Sequence, residues 1–147
     1  MLRVRNLGSG SSGNATLVEA SDGLHTSRLL VDCGLGPRVL AGRLALAGLT
    51  IDDLDAIFVT HEHSDHIGSA CKIALRHRIP LWTSHGTYSA IGMPDLDGLL
   101  HPIADGVGFA VGALQMQPFA VPHDAREPLQ LRCSDGAAQL GILTDLG

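Results

Sequence analysis

The tightest constraint on this chain is the junction at Thr60, where the apolar run Ala56-Ile57-Phe58-Val59 gives way to His61-Glu62-His63-Ser64-Asp65-His66. The run Ala56–Thr60 reads as a buried strand that delivers the histidine loop. Side chains two apart on an extended segment point the same way, so His61 and His63 converge on one position. Asp65 and His66 follow as the chain turns and face a second position nearby. Imidazole combined with carboxylate is the donor set of zinc, iron or manganese rather than of calcium or magnesium. Whatever fold the chain adopts, it has to bring a buried strand end to a metal centre.

Two further donors lie downstream. His123 stands in "FAVPHDAREP", after a strand and beside Pro122, where a loop can aim it inward. Asp145 ends a run of buried character in "GILTDLG". Four donors from one loop do not complete two metal sites, so His123 and Asp145 are candidate ligands. His25, His77, His85 and His101 have no such context and read as surface or structural histidines.

The rest of the chain alternates short strands with helices. Strands are expected at Leu2–Leu7, Ala15–Ala20, Arg28–Cys33, Pro80–Thr83, Val107–Ala110, Leu114–Phe119, Leu129–Ser134 and Ala138–Thr144. The last pair is joined by an Asp135–Gly136 turn. Helices are expected from Pro37 to Ala47, from Ile67 to Arg78 and over Ser84–Ile91, with a capped turn at Thr50. Gly92–Gly106 reads as loop. The fold class is α+β, one domain over residues 1–147, with sheets at its heart.

Charge and cysteine usage narrow the function. A net charge of −5 with a single lysine, Lys72, excludes nucleic-acid binding by bulk electrostatics, so phosphate recognition must be local. Cys33, Cys71 and Cys133 lack CxxC spacing and read as reduced thiols. No stretch approaches a membrane span, and the N-terminus has no apolar signal core, so a cytoplasmic protein without membrane partner is expected. Hydrophobic residues make up 45% of the chain and charged ones only 17%, which suggests apolar surface awaiting cover.

The run Thr60–Gly68 resembles the signature of the metallo-β-lactamase-fold hydrolases. "LLVDCG", "VPHD" and "TDLG" resemble that family's other motifs. The resemblance implies a four-layer αβ/βα sandwich that is incomplete in this chain, since the family carries a second half. It also implies two divalent metal ions, zinc with manganese or iron as alternatives. His61, His63 and His123 would hold one ion, Asp65 and His66 the other, and Asp145 would bridge them, with Asp65 also acting in catalysis. Asp32 would support the ligand loop without binding metal. Within the family, "GSGSSGN" at Gly8–Asn14 resembles a bacterial branch of cytoplasmic nucleic-acid phosphodiesterases and exonucleases. Ser9, Ser11, Ser12 and Asn14 offer donors suited to a phosphate oxygen.

The expected function is therefore a two-metal phosphodiesterase acting on nucleic acid or another phosphodiester through a metal-bound hydroxide. The alternatives are a thioesterase of the glyoxalase kind, a lactamase-type hydrolase, or a non-catalytic metal-binding module. A homo-oligomer covering the incomplete sheet is the expected protein partner.

Overall fold

The computed structural model describes residues 1–142, so Asp145 and the end of the Ala138–Thr144 strand lie outside the described residues. A six-stranded sheet runs in the order β1-β2-β3-β4-β5-β6. Its strands are β1 Leu2–Gly8, β2 Ala15–Ser21, β3 Thr26–Val31, β4 Ala56–Phe58, β5 Leu81–Ser84 and β6 Leu100–Ile103. The pairs β1–β2 and β2–β3 are antiparallel, whereas β3–β4, β4–β5 and β5–β6 are parallel. A second, antiparallel sheet runs β10-β9-β8-β7, from β7 Phe109–Val111, β8 Leu114–Ala120, β9 Leu129–Ser134 and β10 Gln139–Ile142.

Why the central strands are apolar without alternation follows from this layering. Leu30, Ile57 and Val59 face the helices, packing with Leu40, Leu44, Ile73 and Ala74. Leu29, Val31 and Phe58 face the second sheet, packing with Leu114, Met116, Leu129 and Leu131. A strand buried on both faces has no solvent side on which to place polar residues. The facing surfaces of the two sheets cover each other at the centre, whereas Val4 of β1, paired with Val18 and so on the same face, stays 44% exposed beside an open cleft shared with Val31, Leu140 and Ile142. The expectation of an inner face lacking its full cover is met at that edge and not at the centre.

Helix α1 Pro37–Ala45 opens with proline in its first turn and buries Leu40 and Leu44, one turn apart. The Thr50 turn is a 3-10 turn, Ile51–Asp53, closed by a capping box in which Thr50 N–H donates to Asp53 at 2.8 Å. The helix expected at Ile67–Arg78 is two: α2 Ser64–Ile67 and α3 Ala70–His77. Gly68 interrupts them with φ +37°, and a Cβ there would sit 2.4 Å from the Cys33 carbonyl. The break lets the loop after β3 press against the histidine segment. The region expected as loop at Gly92–Gly106 contains β6, whose Pro102 and short length had weakened the strand signal. Helix α4 His85–Ala90 starts at Ser84, whose side chain caps it. No helix among the described residues is long and apolar enough to cross a membrane.

Candidate metal centre

The described donor-bearing loops meet where β3 and β4, being parallel, end side by side. Asp32 follows β3 and is 1% exposed; Thr60 follows β4 and is equally buried. Asp32 holds a left-handed backbone, φ +64°, which aspartate tolerates better than most residues. From there its Oδ1 accepts Thr60 N–H at 2.7 Å, and its Oδ2 accepts the Thr60 hydroxyl at 2.9 Å. His66 Nδ1 lies 2.6 Å from the same Oδ2. Burial pushes the Asp32 carboxyl above its ordinary pKa, and the His66 and Thr60 donors pull it back.

The Thr60 hydroxyl also lies 2.8 Å from His61 Nδ1. A hydroxyl that donates to a carboxylate is left as an acceptor, so it accepts a hydrogen bond from His61 Nδ1–H and leaves Nε2 as a lone pair. The same logic leaves His66 Nε2 as a lone pair, because Nδ1–H points at Asp32. Asp32 therefore sets the tautomer of His66 directly and that of His61 through one hydroxyl.

His61, His63 and His123 offer ring nitrogens that all lie within 4.8 Å of one another. His123 Nε2 is 3.2 Å from His61 Nε2. Two imidazole nitrogens bound tetrahedrally to one zinc at about 2.05 Å would stand roughly 3.3 Å apart, so the donor set fits a shared cation. His66 packs against His61 with ring centroids 4.1 Å apart. Its Nε2 lies 3.7 Å from Asp65 Oδ2, forming an adjacent donor pair.

His123 reaches the cluster because its loop is pinned on both sides. Arg126 N–H donates to Glu62 Oε2 at 2.9 Å, and Leu129 N–H to the Thr60 carbonyl at 3.0 Å. The Ser84 hydroxyl donates to the Glu127 carbonyl at 2.7 Å, while Glu127 Oε1 accepts Gly86 N–H at 2.7 Å. Glu62, between two ligand candidates, thus points away from them and ties down the third. Sequence reasoning passed over Thr60 and Glu62. Thr60 had a local signal, a hydroxyl next to a ligand histidine at a strand end, but Glu62 had none.

The loop after β1 behaves differently from expectation at one residue. Asn14 N–H donates to the Asp65 carbonyl at 2.7 Å, and its side-chain amide lies 3.2 Å from Asp65 Oδ2 and 3.3 Å from His66 Nε2. Its amide is therefore engaged with the histidine loop. Ser9, Ser11 and Ser12 are exposed at the loop's tip. Gly34 makes the close approach possible: a Cβ there would fall 1.9 Å from the Asp65 carbonyl oxygen.

Comparison with known proteins gives the family and the fold. Residues 8–132 match the model of the metallo-beta-lactamase superfamily. The chain is 32% identical over 146 residues to the exodeoxyribonuclease YycJ of Bacillus anthracis, covering 96% of this chain and 53% of that protein. It is 34% identical over 146 residues to the exodeoxyribonuclease WalJ of Streptococcus pneumoniae, with the same 96% and 53% coverage. The chain thus spans about half the length of the curated relatives it matches. The metallo-beta-lactamase fold protein YhfI from Bacillus subtilis superposes with a TM-score of 0.75 at 18% identity, over 96% of this chain and 61% of that one. At that identity the likeness is one of fold.

Proposed function

We propose, from the premise that this chain belongs to the metallo-beta-lactamase superfamily, that its histidine centre hydrolyses nucleic-acid phosphodiesters with the help of two divalent cations. The observation that carries the reading is His123, 62 positions from His61 in sequence, standing with its Nε2 at 3.2 Å from that of His61. Such convergence of imidazole nitrogens at a strand end has no packing purpose and suits a cation.

His61, His63 and His123 would hold one cation, zinc with manganese or iron as substitutes. Asp65 and His66 would hold the second, and Asp145, outside the described residues, would serve both. Bound cations supply Lewis-acid polarisation of a phosphoryl oxygen and activation of water. The chain's own contribution is to fix the donors before substrate arrives. Asp32 and Thr60 lock two imidazoles in the metal-binding tautomer, the Glu62 contact seats the third, and Asn14 orients Asp65. Ser9, Ser11 and Ser12 at the exposed loop tip provide hydroxyl and backbone donors to a substrate phosphate. A phosphodiester substrate is favoured over a thioester or lactam because both exodeoxyribonuclease relatives align along nearly the whole chain.

The test is to load the chain with Zn²⁺ or Mn²⁺, measure bound metal by mass spectrometry, and assay bis(p-nitrophenyl) phosphate beside a thioester and a β-lactam. Diester hydrolysis that His61→Ala and His123→Ala abolish together with metal supports the reading. Hydrolysis of the thioester or lactam alone would overturn the substrate class. Tight metal binding without any hydrolysis would point to a non-catalytic metal-binding module.

A further inference from the structure

The ten basic residues are unevenly placed. Residues 1–43 carry five arginines against three acids, whereas the remainder carries twelve acids against five basic residues. Three of those arginines stand in a row. Arg3 and Arg5 lie on one face of β1, the edge strand of the six-stranded sheet, two residues and so about 6.8 Å apart. Arg43, on α1, donates to the carbonyl of Leu7, which places its guanidinium at the next step of the same row. Open clefts of about 500 Å³ at Arg3 and Arg28 and about 420 Å³ at Arg5 and Arg43 follow one another along the strand.

The row also has a direction. β1 and β3 both run antiparallel to β2, so the Gly8 end of β1 lies at the same end of the sheet as Asp32. Beyond Gly8 come the exposed Ser9, Ser11 and Ser12, then Asn14 against Asp65. Among the described residues one acid contacts the row. Glu19 binds Arg28 at 2.8 Å and Arg5 more loosely at 3.4 Å, leaving the Arg5 side chain 39% exposed.

We infer that Arg3, Arg5 and Arg43 form a track for the backbone of a single nucleic-acid strand, leading across the serine loop into the histidine centre. The inference rests on the nucleic-acid reading above and adds where the strand lies. A row one side chain wide meets one backbone, spaced much like successive phosphates of an extended strand, whereas a duplex presents two. The acidic remainder of the chain repels a polyanion elsewhere and confines it to this edge.

The test is fluorescence anisotropy of a labelled single-stranded DNA 12-mer on the full 147-residue chain, in chelator so that nothing is cut. The double variant R3Q/R43Q should weaken binding about tenfold and lower the slope of log K against log salt by about 1.4. The equal charge change K72Q/R76Q, on α3, should alter affinity less than about twofold. Arg43→Lys keeps the charge while giving up the Leu7 contact and should bind nearly as wild type, which separates charge from folding. Equal losses in the two double variants, an unchanged salt slope, or tighter binding of a duplex would overturn the track. Hydrolysis of bis(p-nitrophenyl) phosphate by the metal-loaded wild type is read separately. Its absence beside intact row-dependent binding would sink the hydrolase and leave the track standing.

Discussion

The Nδ1 of His66 lies 2.6 Å from the buried carboxylate of Asp32, a residue 34 positions earlier at the end of the neighbouring strand. Both groups are essentially inaccessible to water, so neither can exchange the other for solvent. The pair keeps the proton on Nδ1 and leaves Nε2 as the lone pair.

Replacing Asp32 by Asn should therefore cost both stability and metal. The amide can still accept Thr60 N–H, but its NH₂ then faces the His66 Nδ1 proton and favours the other tautomer. We expect a loss of about 3 kcal/mol in chemical denaturation. We also expect a roughly 10- to 100-fold drop in Zn²⁺ affinity measured against a competing chelator. Unchanged affinity would remove Asp32 from its supporting role.

Thr60 separates shape from hydrogen bonding. Thr60→Val keeps the volume and loses the hydroxyl that lies between Asp32 and His61. It should weaken metal binding by about tenfold, while Thr60→Ser restores it. Equal affinities for the two variants would show that the hydroxyl does not orient His61.

Glu62 is expected to act only through His123. Glu62→Ala removes the acceptor for Arg126 N–H, frees the loop and should lower Zn²⁺ affinity several-fold; Glu62→Gln retains an acceptor and should recover most of it. In a His123→Ala background the Glu62→Ala effect should vanish. Additive losses in that double-mutant cycle would exclude the clamp.

Gly34→Ala tests the contact between loops. The added methyl would overlap the Asp65 carbonyl, and backbone rather than a flexible side chain is in the way. A destabilisation of about 3 kcal/mol or more is expected, with a lowered Tm and weakened metal binding.

Acid stability should depend on Asp135. Its carboxylate accepts Ala137 N–H at 2.9 Å and Ala138 N–H at 2.7 Å, and these bonds lower its pKa from 3.8 to about 2. A depressed folded-state pKa stabilises the fold above the unfolded value and loses that contribution as pH falls through the folded one. The Asp135 contribution should thus be full at neutral pH and disappear between about pH 4 and pH 2. Comparison with Asp135→Asn by acid titration of circular dichroism checks this: the two curves should converge at the acid end of that window.

Much of the architecture was legible because it is local. Hydrophobic period, Pro37 at a helix start and the Thr50–Asp53 cap each act within a few residues, and the strands appeared near their expected positions. The misses were local signals overruled at a distance. Gly68 splits the expected helix because the Cys33 carbonyl needs its space, and β6 forms because β5 offers it a parallel edge. Sequence alone also determined where candidate donors cluster: His61, His63, Asp65 and His66 follow one strand end, and strand geometry turns the first pair the same way. Tertiary structure decided which distant groups complete that centre. His123 arrives through contacts made by Glu62, Ser84 and Thr60, Asn14 turns inward to Asp65, and Asp32 reaches two imidazoles at once. None of these pairings has a short-range cause, since each depends on parallel strands ending together and on loops pinned across many tens of residues.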